Sequence, residues 1–118
     1  MPDETQDCLF CRIVKREIPA KVVYDDADAL AFEDLNPQAP THILVIPRKH
    51  LVSLAEAARE DEKLLGRLHT IAAELARDRG LDKTGYRTVI NNGAGAGQSV
   101  FHIHVHLLGG RAFHWPPG

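Results

Sequence analysis

No stretch of the sequence approaches the roughly 18 to 20 consecutive apolar residues that a membrane helix requires, so no such helix and no membrane partner are expected. The opening Met1 to Asp7 is acidic and polar, with neither a basic start nor an apolar run. It does not read as a secretory signal, and the chain is expected to be cytoplasmic. Basic residues are not in excess either: the formal net charge is −2, with Lys and Arg scattered rather than striped. Nucleic acid is therefore not an expected partner, and any nucleotide contact must come from a local pocket. Cysteine is scarce, with only Cys8 and Cys11 present. In a reducing compartment so close a pair reads as a metal site or a redox motif before a structural disulfide. There is no internal repeat, low-complexity tract or interdomain linker.

The 118 residues, 44% hydrophobic and 25% charged, suit one soluble globular domain, read here as residues 8–118 behind a flexible tail of residues 1–7. Val22 to Tyr24 and Ala29 to Phe32 are short strand-like runs split by Asp25-Asp26, a hairpin pattern. Asn36 to Pro40 reads as a loop, and His42 to Ile46 as a buried strand stopped by Pro47. From Leu51 to Arg79 the period changes. Leu64, Leu68, Ile71 and Leu75 form the stripe of an amphipathic helix that Gly80 ends, with a shorter helix expected over Val52 to Ala58. Tyr86 to Ile90 and His102 to Leu108 are the fourth and fifth strands. The order β-β-β-α-β-β predicts an α+β fold, an antiparallel sheet of five strands covered on one face by the long helix.

Successive side chains of a strand point to opposite faces, so His102, His104 and His106 share one face while Ile103, Val105 and Leu107 share the other. One histidine in a strand is commonly a satisfied polar residue. Three in strict alternation point to function, because protonating one disfavours protonating its neighbours. They could hold a catalytic zinc, or one could be a nucleophile while the others bind its substrate. Before them runs the glycine-rich Asn91 to Ser99, where backbone N–H groups can converge on an anion. A glycine run alone is more often a hairpin connection. It is neither a P-loop nor a dinucleotide fingerprint, since no Gly-Lys-Ser/Thr follows and the next element is a strand. Of the remaining histidines, His69 reads as a partly exposed helix residue and His114 as a packing residue near the C-terminus.

Gly97-Gln98-Ser99-Val100-Phe101-His102-Ile103-His104-Val105-His106-Leu107-Leu108 resembles the signature of the histidine triad superfamily. Ile18 to Lys21, Asn36 to His42, Val45 to His50, Gly109 to Arg111 and the ending His114-Trp115-Pro116-Pro117-Gly118 are similar to the Hint branch, the nucleoside phosphoramidases. The likeness runs from about Cys8 to Gly118. The resemblance implies a HIT-like fold with one long and one short helix and a homodimer that extends the sheet. It further implies hydrolysis of purine nucleoside phosphoramidates, of AMP or GMP, through a nucleotidyl-histidine intermediate. A dinucleoside polyphosphate hydrolase or nucleotidyl transferase of the same superfamily, and a nucleotide-binding interaction module without catalysis, are the alternatives. A zinc hydrolase using all three histidines is a further chemical alternative, requiring an open metal position.

By the same resemblance His104 is the nucleophile, which suits an imidazole largely neutral near pH 7. His106, Gly97, Gln98 and Ser99 bind phosphate, Ser99 also serves the leaving group, and His42 orients its neighbours. Asp34 takes the ribose hydroxyls, Ile18, Phe32 and Leu35 form the base pocket, and Asn91 positions the phosphate or its loop. Trp115, in the terminal segment, approaches the site of the partner subunit. Cys8-x-x-Cys11 is a departure from the Hint pattern, since many Hint proteins lack it. Other branches use such a pair with two histidines for structural zinc, which makes His50 and His102 the completing ligands. A thioredoxin-like reading is weak because no βαβ pattern surrounds the pair.

Overall fold

The computed structural model describes residues 7–118. Apart from Asp7, the tail expected over residues 1–7 lies outside the described residues. The expected hairpin forms from β1 (Val22–Asp25) and β2 (Ala29–Glu33), and β3 (Thr41–Pro47) pairs antiparallel with β2. After the long helix come β4 (Tyr86–Val89) and β5 (Val105–Gly109), giving one five-stranded antiparallel sheet in the order β1-β2-β3-β5-β4. β3 and β5 are therefore central neighbours although far apart in sequence, and β4 is an edge strand.

Asp26 holds the first hairpin to the rest of the molecule. Its Oδ1 accepts from the backbone N–H of Asp28 and of Ala29, both at 2.8 Å. Its Oδ2 accepts from Tyr24 at 2.6 Å and from Arg67 of the long helix at 3.0 Å. Burial would raise the carboxyl's pKa, but the bonds from Tyr24, Asp28, Ala29 and Arg67 outweigh it and hold the group well below the usual carboxylate range. Asp26→Ala is expected to cost about 1 to 3 kcal/mol, as unpairing several polar groups does, read as a lower urea midpoint at unchanged slope. Because the folded value lies below the unfolded one, this stabilisation is present at neutral pH and is lost as pH falls below the ordinary carboxylate range. The wild-type advantage over Asp26→Ala should shrink in acid; an equal gap at pH 7 and pH 3 would contradict this.

The long helix, α2, is confined to Glu62–Asp78, and the stretch from Leu51 to Asp61 is not helical in the expected way. A single 3₁₀ turn, Leu54–Glu56, stands where the shorter helix over Val52 to Ala58 was expected, and a second, Arg59–Asp61, follows it. Ala57 and Ala58 are extended, with ψ of 142° and 174°. Buried Asp61 stabilises the break by accepting from Ala58 N–H at 2.8 Å and pairing with Lys49 at 2.7 Å. Gly80 ends the region as expected, at φ 74°, a left-handed conformation that glycine adopts without penalty. A four-residue turn, α3 (Leu81–Thr84), follows. The short helix of the fold lies elsewhere, at the N-terminal end, as α1 (Leu9–Val14).

Each face of the sheet has its own core. Ile43 and Val45 of β3 and Val105 and Leu107 of β5 pack with Leu68, Ile71, Ala72 and Leu75 of α2. Leu44 and Ile46 of β3 pack with Phe10, Cys11 and Ile13 of α1 on the opposite face. Both faces of β3 are thus covered, and all of its residues are buried. The alternation of the pleat sends His104 and His106 to the α1 face, opposite Val105 and Leu107. The fifth strand is shorter than expected, because the Ile103 N–H leaves the ladder to bond the Leu51 carbonyl at 2.6 Å. His102 and His104 precede the paired segment, yet the alternation of burial partners persists through them.

Candidate active site and metal centre

On the α1 face the β3–β5 register sets Leu44 opposite His106 and His42 opposite Leu108. His42 and His106 are thereby diagonal neighbours, close enough for long side chains to meet. They meet directly, with His42 Nε2 2.9 Å from His106 Nδ1. The Gln38 backbone N–H donates to His42 Nδ1 at 3.0 Å, so that nitrogen is unprotonated and the His42 proton sits on Nε2. His42 therefore donates to His106 Nδ1, which leaves the His106 proton on its own Nε2. His104 is fixed in the complementary sense. Its Nδ1 lies 2.8 Å from the His102 carbonyl, which can only accept, so Nδ1 carries the proton and Nε2 keeps a lone pair.

A cleft of about 260 Å³ collects most of the residues expected to bind substrate: Ile18, Phe32, Asp34, Leu35, Ser99 and His106, with His104 in the same wall. Leu35 is 95% exposed, a rim residue, whereas Phe32 is buried and forms the floor. The Asp34 carboxylate accepts from Asn36 N–H at 2.8 Å and lies 3.5 Å from His42 Nε2. Burial lowers the pKa of His104 and of His42, and pushes His106 down to about 4 with help from its neighbours His104 and His42. All are neutral imidazoles at pH 7, which is the state the hydrogen-bond pattern requires.

The glycine-rich loop is arranged differently from expectation. Gln98, whose backbone amide was expected among those binding phosphate, is 3% exposed. Its side chain accepts from Gly93 N–H at 2.7 Å and donates to the carbonyls of Val52 and Val100 at 2.7 and 3.1 Å. The backbone N–H groups of Gly97 and Gln98 are committed within the loop, to Ala94 and Gly93 carbonyls. Of the three residues expected to cradle phosphate, Ser99 is the one that lines the cleft, while Gly97 and Gln98 shape the loop. Asn91 is half-buried and does not line the cleft. Trp115 is 83% exposed and stands apart from the cleft of its own chain. Phe10, which packs edge-on against His104 with ring centroids 5.0 Å apart, was missed. It belongs to the six-residue α1, too short to show a helical period.

Behind the triad, Cys8, Cys11, His50 and His102 converge, with one donor atom from each within 4.8 Å of the others. Cys8 and Cys11 Sγ each lie 3.4 Å from His102 Nδ1, and Cys11 Sγ lies 3.2 Å from His50 Nδ1. Tetrahedral zinc, with sulfur at about 2.3 Å and nitrogen at about 2.0 Å, sets neighbouring sulfur and nitrogen about 3.5 Å apart. The four side chains fit that ion. His102 is prepared for it, since its Nε2–H donates to the Pro47 carbonyl at 2.8 Å and leaves the Nδ1 lone pair toward the sulfurs. Burial, aided by His50 and His104, pushes the His102 pKa down to about 4 and keeps that lone pair available. Asp34, His42 and His106 also cluster within 4.8 Å. There the Gln38 N–H occupies His42 Nδ1 and forces the proton onto Nε2, the atom a metal would need. That trio is a hydrogen-bonded relay, and the zinc hydrolase alternative loses its ligands: His102 faces the sulfurs and His106 faces His42.

Residues 15–113 match the family model described as HIT domain. An uncharacterized HIT-like protein of Synechocystis is 55% identical, covering 96% of this chain and 98% of that relative. A protein of Zea mays named 14 kDa zinc-binding protein is 54% identical over 93% of this chain and 87% of the relative. Among solved structures, a HIT family hydrolase from Legionella pneumophila superposes with a TM-score of 0.93 at 51% identity. It covers 95% of this chain and all (100%) of that one. A histidine triad nucleotide-binding protein from Candida albicans superposes with a TM-score of 0.80 at 31% identity, covering 95% and 85% of the two chains.

Proposed function

The chain belongs to the HIT domain family, and from that premise we propose that it is a hydrolase cleaving purine nucleoside phosphoramidates at His104. The observation that carries the reading is the pair of opposed tautomers. His104 offers an Nε2 lone pair beside the cleft, and His106, held by His42 and Gln38, offers an Nε2–H. A lone pair and a donor side by side suit attack on a phosphoryl centre and stabilisation of its oxygens. His104 Nε2 bonds to phosphorus as the P–N bond breaks, and the amine leaves with a proton delivered at Ser99 or from solvent. Water then attacks the nucleotidyl-histidine, forming a P–O bond, breaking Nε2–P and releasing the nucleoside monophosphate. Phe32, Ile18 and Leu35 take the base and Asp34 the ribose hydroxyls. Cys8, Cys11, His50 and His102 hold a structural zinc, which ties α1 to the strand segment bearing the nucleophile; the name of the Zea mays relative supports this.

We extend the reading to a homodimer, since β4 leaves a sheet edge where a second copy can pair and Trp115 stands exposed. Light scattering at twice the chain mass is the expected result; a monomer with full activity would remove the dimer from the proposal. The function itself is tested by incubating the purified protein with adenosine 5′-phosphoramidate, a diadenosine polyphosphate and a nucleotide sugar. Release of AMP from the first at the highest kcat/KM is expected. Faster cleavage of either other substrate would move the chain to another branch of the family, and cleavage of none would leave a binding module.

A further inference from the structure

The Gln38 N–H that fixes the His42 tautomer belongs to an exposed loop: of residues 36–40 only Ala39 is buried. Its first half is steadied locally, since Asp34 accepts from Asn36 N–H at 2.8 Å and the Asn36 carbonyl from the Gln38 side-chain amide at 3.0 Å. Its second half is held by the segment that follows β5. Gly109 pairs with Thr41 at the end of the β3–β5 ladder, so the residues after it run past the loop. Gly110, at φ 90°, approaches so closely that a side chain on it would bring its Cβ within 2.9 Å of Pro40 Cβ. Arg111 then donates from Nε to the Gln38 carbonyl at 2.9 Å. Gln38 is thus gripped on both sides of its Cα, its N–H by His42 and its carbonyl by Arg111. Arg111 is itself braced. Its Nη1 donates to the Ala112 carbonyl at 3.0 Å, and its guanidinium carbon lies 4.3 Å from the centroid of the half-buried Phe113 ring. Arg87 of β4 lies over the same ring at 5.3 Å and donates to the His114 carbonyl at 2.8 Å, which ties the segment back to the sheet. A guanidinium stacked on an aromatic ring favours one side-chain geometry over the many an exposed arginine would sample.

Resting on the phosphoramidase reading, we propose that Arg111 is a positioning residue of the histidine relay: through the Gln38 carbonyl it holds the Gln38 N–H against His42 Nδ1, and so keeps His42 aimed at His106. Arg111 does not line the cleft at His104, so it acts through others and not on substrate. The path has three bonds, Arg111 to Gln38 at 2.9 Å, Gln38 to His42 at 3.0 Å and His42 to His106 at 2.9 Å. At its end stands the His106 Nε2–H, the donor offered to the phosphoryl oxygens. Loosening the first bond leaves that donor present but less well aimed. A donor of this kind matters most where negative charge develops, in the transition state, so the loss falls on kcat more than on KM.

Arg111→Ala tests this by NMR and by kinetics. Exchange of the Gln38 amide hydrogen with solvent should speed up at least about tenfold, as local opening becomes easier. The ¹⁵N resonance of His42 Nδ1 should move toward that of an imidazole nitrogen that accepts no bond. His69, whose Nδ1 bonds the Leu65 carbonyl on α2, serves as the control and should not shift. With adenosine 5′-phosphoramidate, kcat should fall about tenfold while KM stays within about twofold, the pattern of a misplaced group that acts in the transition state. Phe113→Ala keeps the donor but removes the ring beside it, and should move the same readings in the same direction by less. Both variants should melt within about 3 °C of the wild type, since an exposed arginine and the ring beside it carry little of the core. Unchanged Gln38 exchange in Arg111→Ala, or faster exchange with unchanged kcat, would overturn the proposal. If the wild type cleaves no phosphoramidate, the functional reading fails but the link from Arg111 to the relay is still decided. Amide exchange and the His42 resonance need no substrate, and if neither changes in Arg111→Ala the link is refuted.

Discussion

Replacing His104 with asparagine is expected to lower turnover of a nucleoside phosphoramidate by at least about a thousandfold while the nucleotide still binds. The side-chain amide is similar in bulk and can still donate to the His102 carbonyl, which now accepts from Nδ1 at 2.8 Å. The local turn and the fold should therefore survive. What disappears is the Nε2 lone pair, and with it the two-step route through a covalent intermediate. His106 cannot substitute, because its Nδ1 accepts from His42 and its remaining nitrogen carries a proton. Wild-type protein quenched during turnover should carry one nucleotidyl group, mapped to His104 by peptide mass spectrometry. His106→Ala should weaken oxyanion stabilisation and leave that adduct detectable. Near wild-type turnover in His104→Asn, or an adduct that maps reproducibly elsewhere, would refute the mechanism.

The histidines were legible because their signal is periodic: a pleat converts the spacing of His102, His104 and His106 directly into a shared face. That face is real even though the β5 ladder starts only at Val105. The hairpin at Asp25-Asp26 and the stop at Gly80 were legible for a comparable reason, since both are local chemistry. The role of α1 was not, because six residues make fewer than two turns and Phe10 contacts His104 across 94 positions of sequence. The role of the Gln98 side chain was not legible either: the glycine run pointed to backbone N–H groups converging on an anion, whereas a compact loop has backbone groups of its own to satisfy, and the Gln98 side chain does that for Gly93, Val52 and Val100. Loop composition indicates an anion site more readily than it says which residue faces the anion.

Cys8→Ser is expected to remove most of the zinc, about one ion per chain in the wild type for a closed four-ligand site, and to lower the melting temperature by at least about 10 °C. The substitution is selective. Cys8 Sγ also caps α1 by accepting from the Cys11 N–H at 3.4 Å, and a serine hydroxyl is a good helix N-cap. Loss of stability can thus be assigned to the metal and not to the helix end. The effect should be large because the ligands come from separate parts of the chain: Cys8 and Cys11 at α1, His50 after β3 and His102 before β5. Any ion bound by the folded state and not by the unfolded one stabilises by mass action, about 4 kcal/mol at a thousandfold excess over its Kd. The same loss should reach the nucleophile. His102 presents Nδ1 to the sulfurs and its carbonyl to His104 Nδ1–H, so an unanchored His102 loosens the bond that fixes the His104 tautomer. We expect kcat to fall more than nucleotide affinity, and zinc added back to chelator-treated wild type to restore melting temperature and kcat together. Wild-type protein that contains no zinc and melts at the same temperature with or without it would show that the four side chains are merely packed together.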